Sequence, residues 1–510
     1  MRRFDAARVV LAAMWLAGCA TSAIEMAPER PDRPWTPATD PSGEIIPGKQ
    51  GISQAANGAG YVLPSNTAVG NVLPPPSLDT NKVYTLPELI DVAEANNPST
   101  RIAWNEARRV ALAAGIAESS YLLKITASAV LDYLTGSAPG SANGVGFQSS
   151  TSASGAIAAV SLQWLLFDFG ERSAIIDAAK QGSVIANIAF TAAHQMLIYN
   201  VTLAFYAHAA ARGRLATATQ SLANAKAVQA AAEDRDTRQI GTAIEVAQAR
   251  QATAQANLAL VQATGGAQDA YLALISAMGI SPLTRIKVAD ASGRSLSSTM
   301  EAPVESFVNA ALARRPDVLT AYAAQKASLA NVRAAQAEFM PKVFVAATGA
   351  YNSGSLNVTA IPSIGQQDAT FNLNNDRFGG SVLAGVTLPL YDGGTRSAAL
   401  AQARAESDSA AARLTRVRDD AVRQIVLADN GLRTSLAAYG ASEALQSAAQ
   451  TTFDAALAAY RSGVGSITEL TISETQLLQA RNATSDSYSA ALSAAATLAL
   501  ATGALGQAPP

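Results

Sequence analysis

Cysteine and histidine are almost missing: the 510-residue chain has one cysteine, Cys19, and two histidines, His194 and His208. One thiol cannot close an intrachain disulfide, so packing must carry stability. Two histidines fourteen positions apart, with no other cysteine and no carboxylate pair beside them, do not make a metal centre. No catalytic residue and no cofactor is expected, and the chain is not read as an enzyme. Charge is also scarce: 15% of residues are charged and the net charge is -2, which gives no electrostatic hold on nucleic acid. "GVGSIT" at 463–468 imitates the start of a dinucleotide loop, yet it follows a helical stretch and lacks the third glycine. Beyond the N-terminus there is no uninterrupted apolar run of about 18 residues, so any membrane crossing is expected to use strands.

What is present begins with a secretory signal peptide at 1–18: a basic start (Arg2, Arg3, Arg8), a short apolar core from Val9 to Leu16, then Leu16-Ala17-Gly18-Cys19. The last four residues resemble a bacterial lipobox, in which the cysteine is lipidated and becomes the mature N-terminus; an ordinary signal peptide beside a chance cysteine is the alternative. Lipidation of Cys19, with Ala20 after it, implies sorting to the outer membrane. Residues 19–82 are rich in Pro, Gly, Asn and Thr and read as an extended, lipid-anchored linker.

From Val83 the apolar period is that of helices, in "TLPELIDVAEANNP" and from Ser99 to Glu118. It then changes to two. Leu123, Ile125, Ala127, Ala129, Leu131 and Tyr133 alternate with Lys124, Thr126, Ser128 and Asp132, and Val160, Leu162, Trp164 and Leu166 alternate with Ser161 and Gln163. Strands are expected at about 121–134 and 156–167, with a Gly/Ser loop between them. A proline-free stretch from Glu171 to about Arg238 predicts one helix on the order of 100 Å long. "RQIGT" ends it, and a return helix runs from Ile244 to about Met278.

The same order then recurs, with strands expected at about 342–352 and 380–390. Twenty-six residues separate Pro98 from Lys124 and also Pro316 from Lys342; 73 separate Asp168 from Gly241 and also Asp392 from Gly465. Equal helical spans around an unequal hairpin loop read as an internal duplication, repeat one at 83–300 and repeat two at 301–510. The expected fold is mostly α-helical with a transmembrane β-barrel. Four strands cannot close a barrel, and open edges are not tolerated in lipid, so copies must share one. Three copies give twelve strands, continued by a tube of coiled-coil helices.

Several stretches resemble the TolC-like outer-membrane efflux proteins: "EANNPSTRIAWNEA", "RRPDVLTAYAAQ", "LPLYDGGTRSAALAQA" and "AAYRSGVGSITELTISETQLLQAR". The resemblance covers about 83 to 505 and, with the lipobox, is nearest to the lipid-anchored channels of drug export. It implies a homotrimer with a twelve-stranded barrel in the outer membrane, a periplasmic helical tunnel and a collar that includes Leu86 to Asn97 and Val304 to Arg315. It also implies a periplasmic adaptor (membrane fusion) protein and an inner-membrane pump, proton-driven or ATP-driven. The implied activity is passive export of small toxic compounds. Type I protein secretion is the alternative use of such a duct, and a lipid-anchored coiled-coil scaffold without a pore is the alternative of another class.

The resemblance places the tips of the helical hairpins, where an adaptor docks, at Gly241, Gly463 and Gly465, with Arg461 beside them. Glu245 and Glu469 stand at matched positions just past the turns. Either they complement their helix dipoles, or, as the resemblance implies for Glu469, they face a closed mouth as a ring of like charge. Many relatives carry Asp or Asn three residues on, where this chain has Ile472; Glu474 is a further acid. Arg235, Arg238 and Arg461 are candidates for ion pairs at the tips. Asp168, Gly170, Asp392, Gly393 and Gly394 mark the strand-to-helix junctions. Trp164, Phe167, Phe169 and Tyr391 near them are either interfacial aromatics or core.

Overall fold

The computed structural model describes residues 26–28, 31, 35, 37–50, 63, 65–70, 78–142, 145–291, 296, 305–354, 358–361, 370–373 and 377–506. The signal peptide, Cys19, Val304 and much of the 19–82 segment lie outside these. By contact the chain divides into residues 1–79 with 281–285 and residues 80–280 with 286–510. In the first unit β1 (Pro37–Thr39) pairs with β2 (Ile45–Gln50) across a turn in which Asp40 Oδ1 accepts from the N–H groups of Ser42 and Glu44.

The second unit opens with β3 (Val83–Tyr84) and α1 (Leu86–Asn96), where the Glu88 carboxylate accepts from the Thr85 N–H at 2.8 Å. Pro98 starts α2 (Pro98–Glu118) at the position where its missing N–H costs nothing. There follow β4 (Lys124–Ala142), β5 (Val145–Phe167), α3 (Glu171–Thr237), α4 (Ala243–Ala277) and β6 (Lys287–Val288), which pairs parallel with β3. The second half gives α5 (Glu305–Arg314), α6 (Pro316–Ala337), β7 (Lys342–Gly354), β8 (Val358–Ile361), β9 (Thr370–Leu373), β10 (Phe378–Thr387), α7 (Thr395–Arg461) and α8 (Ile467–Ala501). The two long helices have 67 residues each and the two return helices 35 each. Both halves lie in this one unit because α3 packs on α6 and α8 as well as on α1, α2 and α4.

Four strands form one antiparallel sheet in the order β10-β7-β5-β4. Its register carries the alternation of the sequence across all four. Ile125, Leu162, Ala347 and Val382 form one row, and Ala129, Ala158, Tyr351 and Phe378 another on the same face. The intervening row, on the opposite face, is Thr126, Ser161, Thr348 and Ser381, a hydroxyl on every strand. The apolar face is uncovered: Val382 and Phe378 are each 80% exposed. Among the described residues the outer edges of β4 and β10 have no neighbouring strand.

The strands differ in extent from the sequence expectation. The segment expected as a Gly/Ser loop continues the β4–β5 ladder as far as Ala142 opposite Val145. The ladder is held by backbone hydrogen bonds, which small residues permit without any apolar alternation to announce them. Residues 119–121 are instead a 3₁₀ turn, so β4 starts at Lys124. β10 ends at Thr387, short of the expected 390, because Pro389 has no N–H to give a ladder. β8 and β9 form a further short hairpin that the sequence did not announce.

Averaged over 18 residues, one window of α3 reaches a mean hydropathy of 1.3, enough by length and composition to cross a membrane. No uninterrupted apolar run betrayed it. In the fold this helix packs on five others, yet only 22% of that window is buried within the chain.

Candidate functional sites at the helical tips and strand junctions

At the tips, two turns 224 residues apart share one backbone design. Ile240 and Gly241 both donate to the Arg235 carbonyl, and Val464 and Gly465 both donate to the Ala459 carbonyl, each at 3.0 Å. The left-handed position is held by Gln239 (φ 61°) in the first turn and by Gly463 (φ 83°) in the second. Gly241 and Gly465 serve a different need. A Cβ on Gly241 would sit 3.0 Å from the Asp236 nitrogen, and one on Gly465 would sit 2.9 Å from the Ala459 Cβ. Gly241 was expected to be the turning residue; the turn is made by Gln239, and Gly241 is required for close approach of the chain.

The acids past the turns also separate. Glu469 is exposed and closes a capping box: its N–H donates to Ser466 Oγ (3.1 Å) and its carboxylate accepts from the Ser466 N–H (3.3 Å). Glu245 donates its N–H to Thr242 Oγ1 (3.3 Å), but its Oε2 is buried without a hydrogen-bond partner. Ile472 is 53% exposed. Glu474, grouped with these at the sequence level, faces elsewhere: it is 8% exposed, and Ser221 Oγ of α3 donates to it at 3.4 Å. The heptad Ile467, Leu470, Glu474, Leu477 explains this, since position 474 lies on the packed face of α8.

The tip core draws on all four helices, through Val228, Val246, Phe453, Tyr460, Leu470 and Leu477. Tyr460 is 1% exposed, and its hydroxyl has no hydrogen-bond partner. Burial, and then the charge of Glu245, push its phenol up from the usual range. Arg235 lies over the Tyr460 ring (5.0 Å) and donates to the Tyr460 carbonyl (3.0 Å), so it stacks where an ion pair was expected. Arg238 pairs with Asp234 at 3.0 Å, whereas Arg461 is exposed with no ion pair among the described residues.

At the strand-to-helix junctions the expected Asp and Gly residues are present, and the structure adds an arginine to each. Asp168 Oδ2 accepts from the Arg172 backbone N–H (2.9 Å) and Nε (2.7 Å). The same guanidinium donates to the carbonyls of Ser120 (3.0 Å) and Leu165 (2.8 Å) and covers the Tyr121 ring at 4.9 Å. In the second junction Asp392 Oδ2 accepts from the Arg396 N–H (3.0 Å) and Nε (2.6 Å). Arg396 Nη1 donates to the Pro389 carbonyl (2.9 Å), and the group lies over Phe339 at 5.3 Å. Burial opposes ionisation of Asp168, but the bonds from Arg172 outweigh it and hold the carboxyl below the usual range. Hydrogen bonds from Arg396 do the same for Asp392. Each clamp thus ties the strand end to the first turn of a long helix by charge-assisted bonds. Gly170 (φ 94°) and Gly394 (φ 90°) precede the helices, and the residues before them, Phe169 (54°) and Gly393 (69°), are also left-handed. The signal for the arginines was in the sequence, as D-x-G-x-R in both "DFGER" and "DGGTR".

A third matched pair went unread. Asn97, before Pro98, donates to the carbonyl of Ala277, the last residue of α4 (3.2 Å). Arg315, before Pro316, donates to the carbonyl of Ala501, the last residue of α8 (2.7 Å), and is itself held by Asp317 (2.6 Å) and Gln424 (2.7 Å). Both satisfy carbonyls that a helix end leaves open.

Trp164, Phe167, Phe169 and Tyr391 are 41%, 52%, 50% and 90% exposed, which is not core packing. The histidines part company: His194 Nδ1 lies 3.3 Å from Glu94, whereas His208 is buried against Tyr271. No group of three or more potential metal-ligating side chains occurs among the described residues.

An antiparallel sheet with one largely apolar, uncovered face, continued by two pairs of long helices, describes a membrane channel built of strands and helices. The family model described as "Outer membrane efflux protein" matches residues 89–280 and again 307–504, and the chain belongs to that family. It is 29% identical to Protein CyaE of Bordetella pertussis over 409 residues, covering 80% of this chain and 81% of that one. It is 27% identical to outer membrane protein OprJ of Pseudomonas aeruginosa over 296 residues, covering 58% of this chain and 59% of that one. Among solved structures it resembles the outer membrane protein VceC of Vibrio cholerae. The TM-score is 0.66 at 21% identity, over 82% of this chain and 96% of that one, a likeness of fold.

Proposed function

We propose that this chain is the outer-membrane duct of a tripartite export system, a homotrimer whose copies share a twelve-stranded barrel. Small toxic compounds are its cargo. The observation that carries this is the sheet with an apolar face and two unpaired edges, β4 and β10. In lipid each unpaired backbone group costs several kcal/mol, so such edges must find strands. The helices follow the same lateral order: α2 leads into β4, β5 into α3, α6 into β7 and β10 into α7, and α2 packs on α3, α3 on α6, α6 on α7. Edges of the sheet and edges of the helical layer therefore coincide, as closure around an axis by copies of one unit requires. The matched lengths, junction clamps and end caps favour origin of 83–300 and 301–510 as tandem repeats.

In this reading the tips at Gly241, Gly463 and Gly465, with Arg461, meet a periplasmic adaptor. Exposed Glu469 and Ile472, with Glu245, line the mouth, and a pump in the inner membrane supplies the energy. Cys19 carries lipid that tethers the trimer. Purification in detergent, sizing and planar-bilayer recording test the reading together. A trimer with stepwise conductance is expected, with cation preference reduced by Glu469→Ala and conductance unaffected by Cys19→Ser. A monomer without conductance would leave only a tethered scaffold. Loss of protein export, rather than sensitivity to toxic compounds, in a deletion strain would move the cargo to polypeptides.

A further inference from the structure

The seam between the two helical hairpins contains one carboxyl group that the duct does not explain. Glu474 of α8 stands at a core heptad position between Leu470 and Leu477, both 2% exposed or less. It is 8% exposed, and among the described residues its hydrogen-bond donor is Ser221 of α3, in the other hairpin. A polar group at such a position costs stability and is retained where it fixes a register or a switch.

We propose that Glu474 makes this seam proton-sensitive: ionisation of its carboxyl weakens the packing of α8 on α3, and protonation tightens it. The proposal rests on the duct reading for its consequence, an easier parting of the hairpins near the mouth at neutral than at acid pH. The charged groups around the seam do not neutralise the carboxylate. From α3, Lys226 is exposed and Glu233 is engaged by Arg250 of α4 at 2.9 Å. From α7, Asp454 accepts from Gln450 at 3.0 Å. From α8, Glu469 is committed to Ser466, Arg481 donates to Gln450 at 2.7 Å, and Asp486 is paired with Arg214 of α3 at 2.8 Å.

Burial pushes the Glu474 carboxyl up to about 7 from 4.5, with the Ser221 bond acting the other way. In the closed seam the proton is therefore held more tightly than in a parted, hydrated one. Below pH 4.5 the carboxyl is neutral in both states. As pH rises towards 7 only the parted state ionises freely, so parting is increasingly favoured, by up to roughly 300-fold, and the effect levels off above 7.

Hydrogen exchange of the full chain in detergent, over residues 215–228 and 467–481 between pH 5 and 8 and corrected for intrinsic rates, reads this directly. The opening constant should rise roughly 100-fold across that range. Glu474→Gln should flatten the dependence. Ser221→Ala, which removes a bond that favours the carboxylate, should move its midpoint upward; it also serves if the Gln variant fails to fold. A pH-independent wild type, a Gln variant that keeps the wild-type slope, or an unmoved midpoint in Ser221→Ala would overturn the proposal. Bilayer recording separates this from the duct. A proton-sensitive seam without conductance at any pH removes the duct and leaves the seam's chemistry standing; conductance over a seam indifferent to pH does the reverse.

Discussion

The helices α3 and α7 have equal length, begin after equivalent clamps and end in equivalent turns, yet their first halves live differently. Residues 171–199 of α3 contain four charged side chains, and the matched residues 395–423 of α7 contain ten. Along the first, Arg172, Ala174, Ile176, Ala186 and Leu197 are buried; along the second, Ser407 and Ala421 are. The cause is position. α3 lies between α2 and α6, whereas α7 has α6 beside it and, further along, α5 and α8, with no second strand-flanking helix against it among the described residues. Matched length and punctuation thus go with unlike composition, which follows the place of each helix in the layer.

The largest expected difference is at the clamps. Arg172 and Asp168 have side chains 10% and 6% exposed, so Arg172→Ala leaves a buried carboxylate unpaired and should cost about 3 kcal/mol in denaturant unfolding. Asp392 is 31% exposed and can take up water, so Arg396→Ala should cost clearly less. Equal losses would mean that a neighbouring copy buries the second clamp as deeply as this chain buries the first. Next comes the packing pair. Ile176, 4% exposed, should cost about 2–4 kcal/mol as Ile176→Ala. Its counterpart Leu400 on α7 is half-buried in the single chain, and Leu400→Ala should cost little unless another copy covers it. Comparing the two variants in the proposed trimer and in the dissociated chain tests whether assembly fills the open side of α7.

The end caps offer a smaller contrast. Arg315 has a side chain 7% exposed and four hydrogen bonds, so Arg315→Ala should lower stability by about 2 kcal/mol and expose the last turn of α8 to hydrogen exchange. Asn97→Ala removes one bond to α4 and the cap that Asn97 Oδ1 gives Ser99 N–H, worth about 1 kcal/mol. If the two cost the same, the ion pair with Asp317 contributes nothing beyond the cap.

Much of this was legible in the chain. Helix ends were announced by Pro98, Pro316 and the glycine turns, and the sheet faces by alternation around Ile125, Leu162 and Val382. What escaped notice lacked a periodic signal. The outer part of the β4–β5 hairpin is built of Ser, Gly and Ala, whose ladder depends on backbone alone. Arg172 and Arg396 drew no expectation, because the carbonyls of Ser120 and Pro389 that they hold are set beside them only by the fold. Glu474 seemed a tip acid because its distance from the turn was counted and its place in the heptad was not.

The tips provide the finest test, because there one backbone conformation is held by Gln239 in one half and by Gly463 in the other. Gln239 holds a left-handed φ of 61° that costs a residue with a Cβ about 1 kcal/mol, whereas Gly463 adopts its 83° without that penalty. Gln239→Gly should therefore stabilise the first hairpin, although the glycine's freer unfolded state offsets part of the gain. Gly463→Gln should destabilise the second by about 1 kcal/mol, since its Cβ would meet little beyond the tip of Arg235 at 3.7 Å and strain is then the main cost. The measurement is local hydrogen exchange at each turn. Should Gly463→Gln cost several kcal/mol, the second turn would have a packing demand that the first lacks, and the likeness of the two tips would end at their hydrogen bonds.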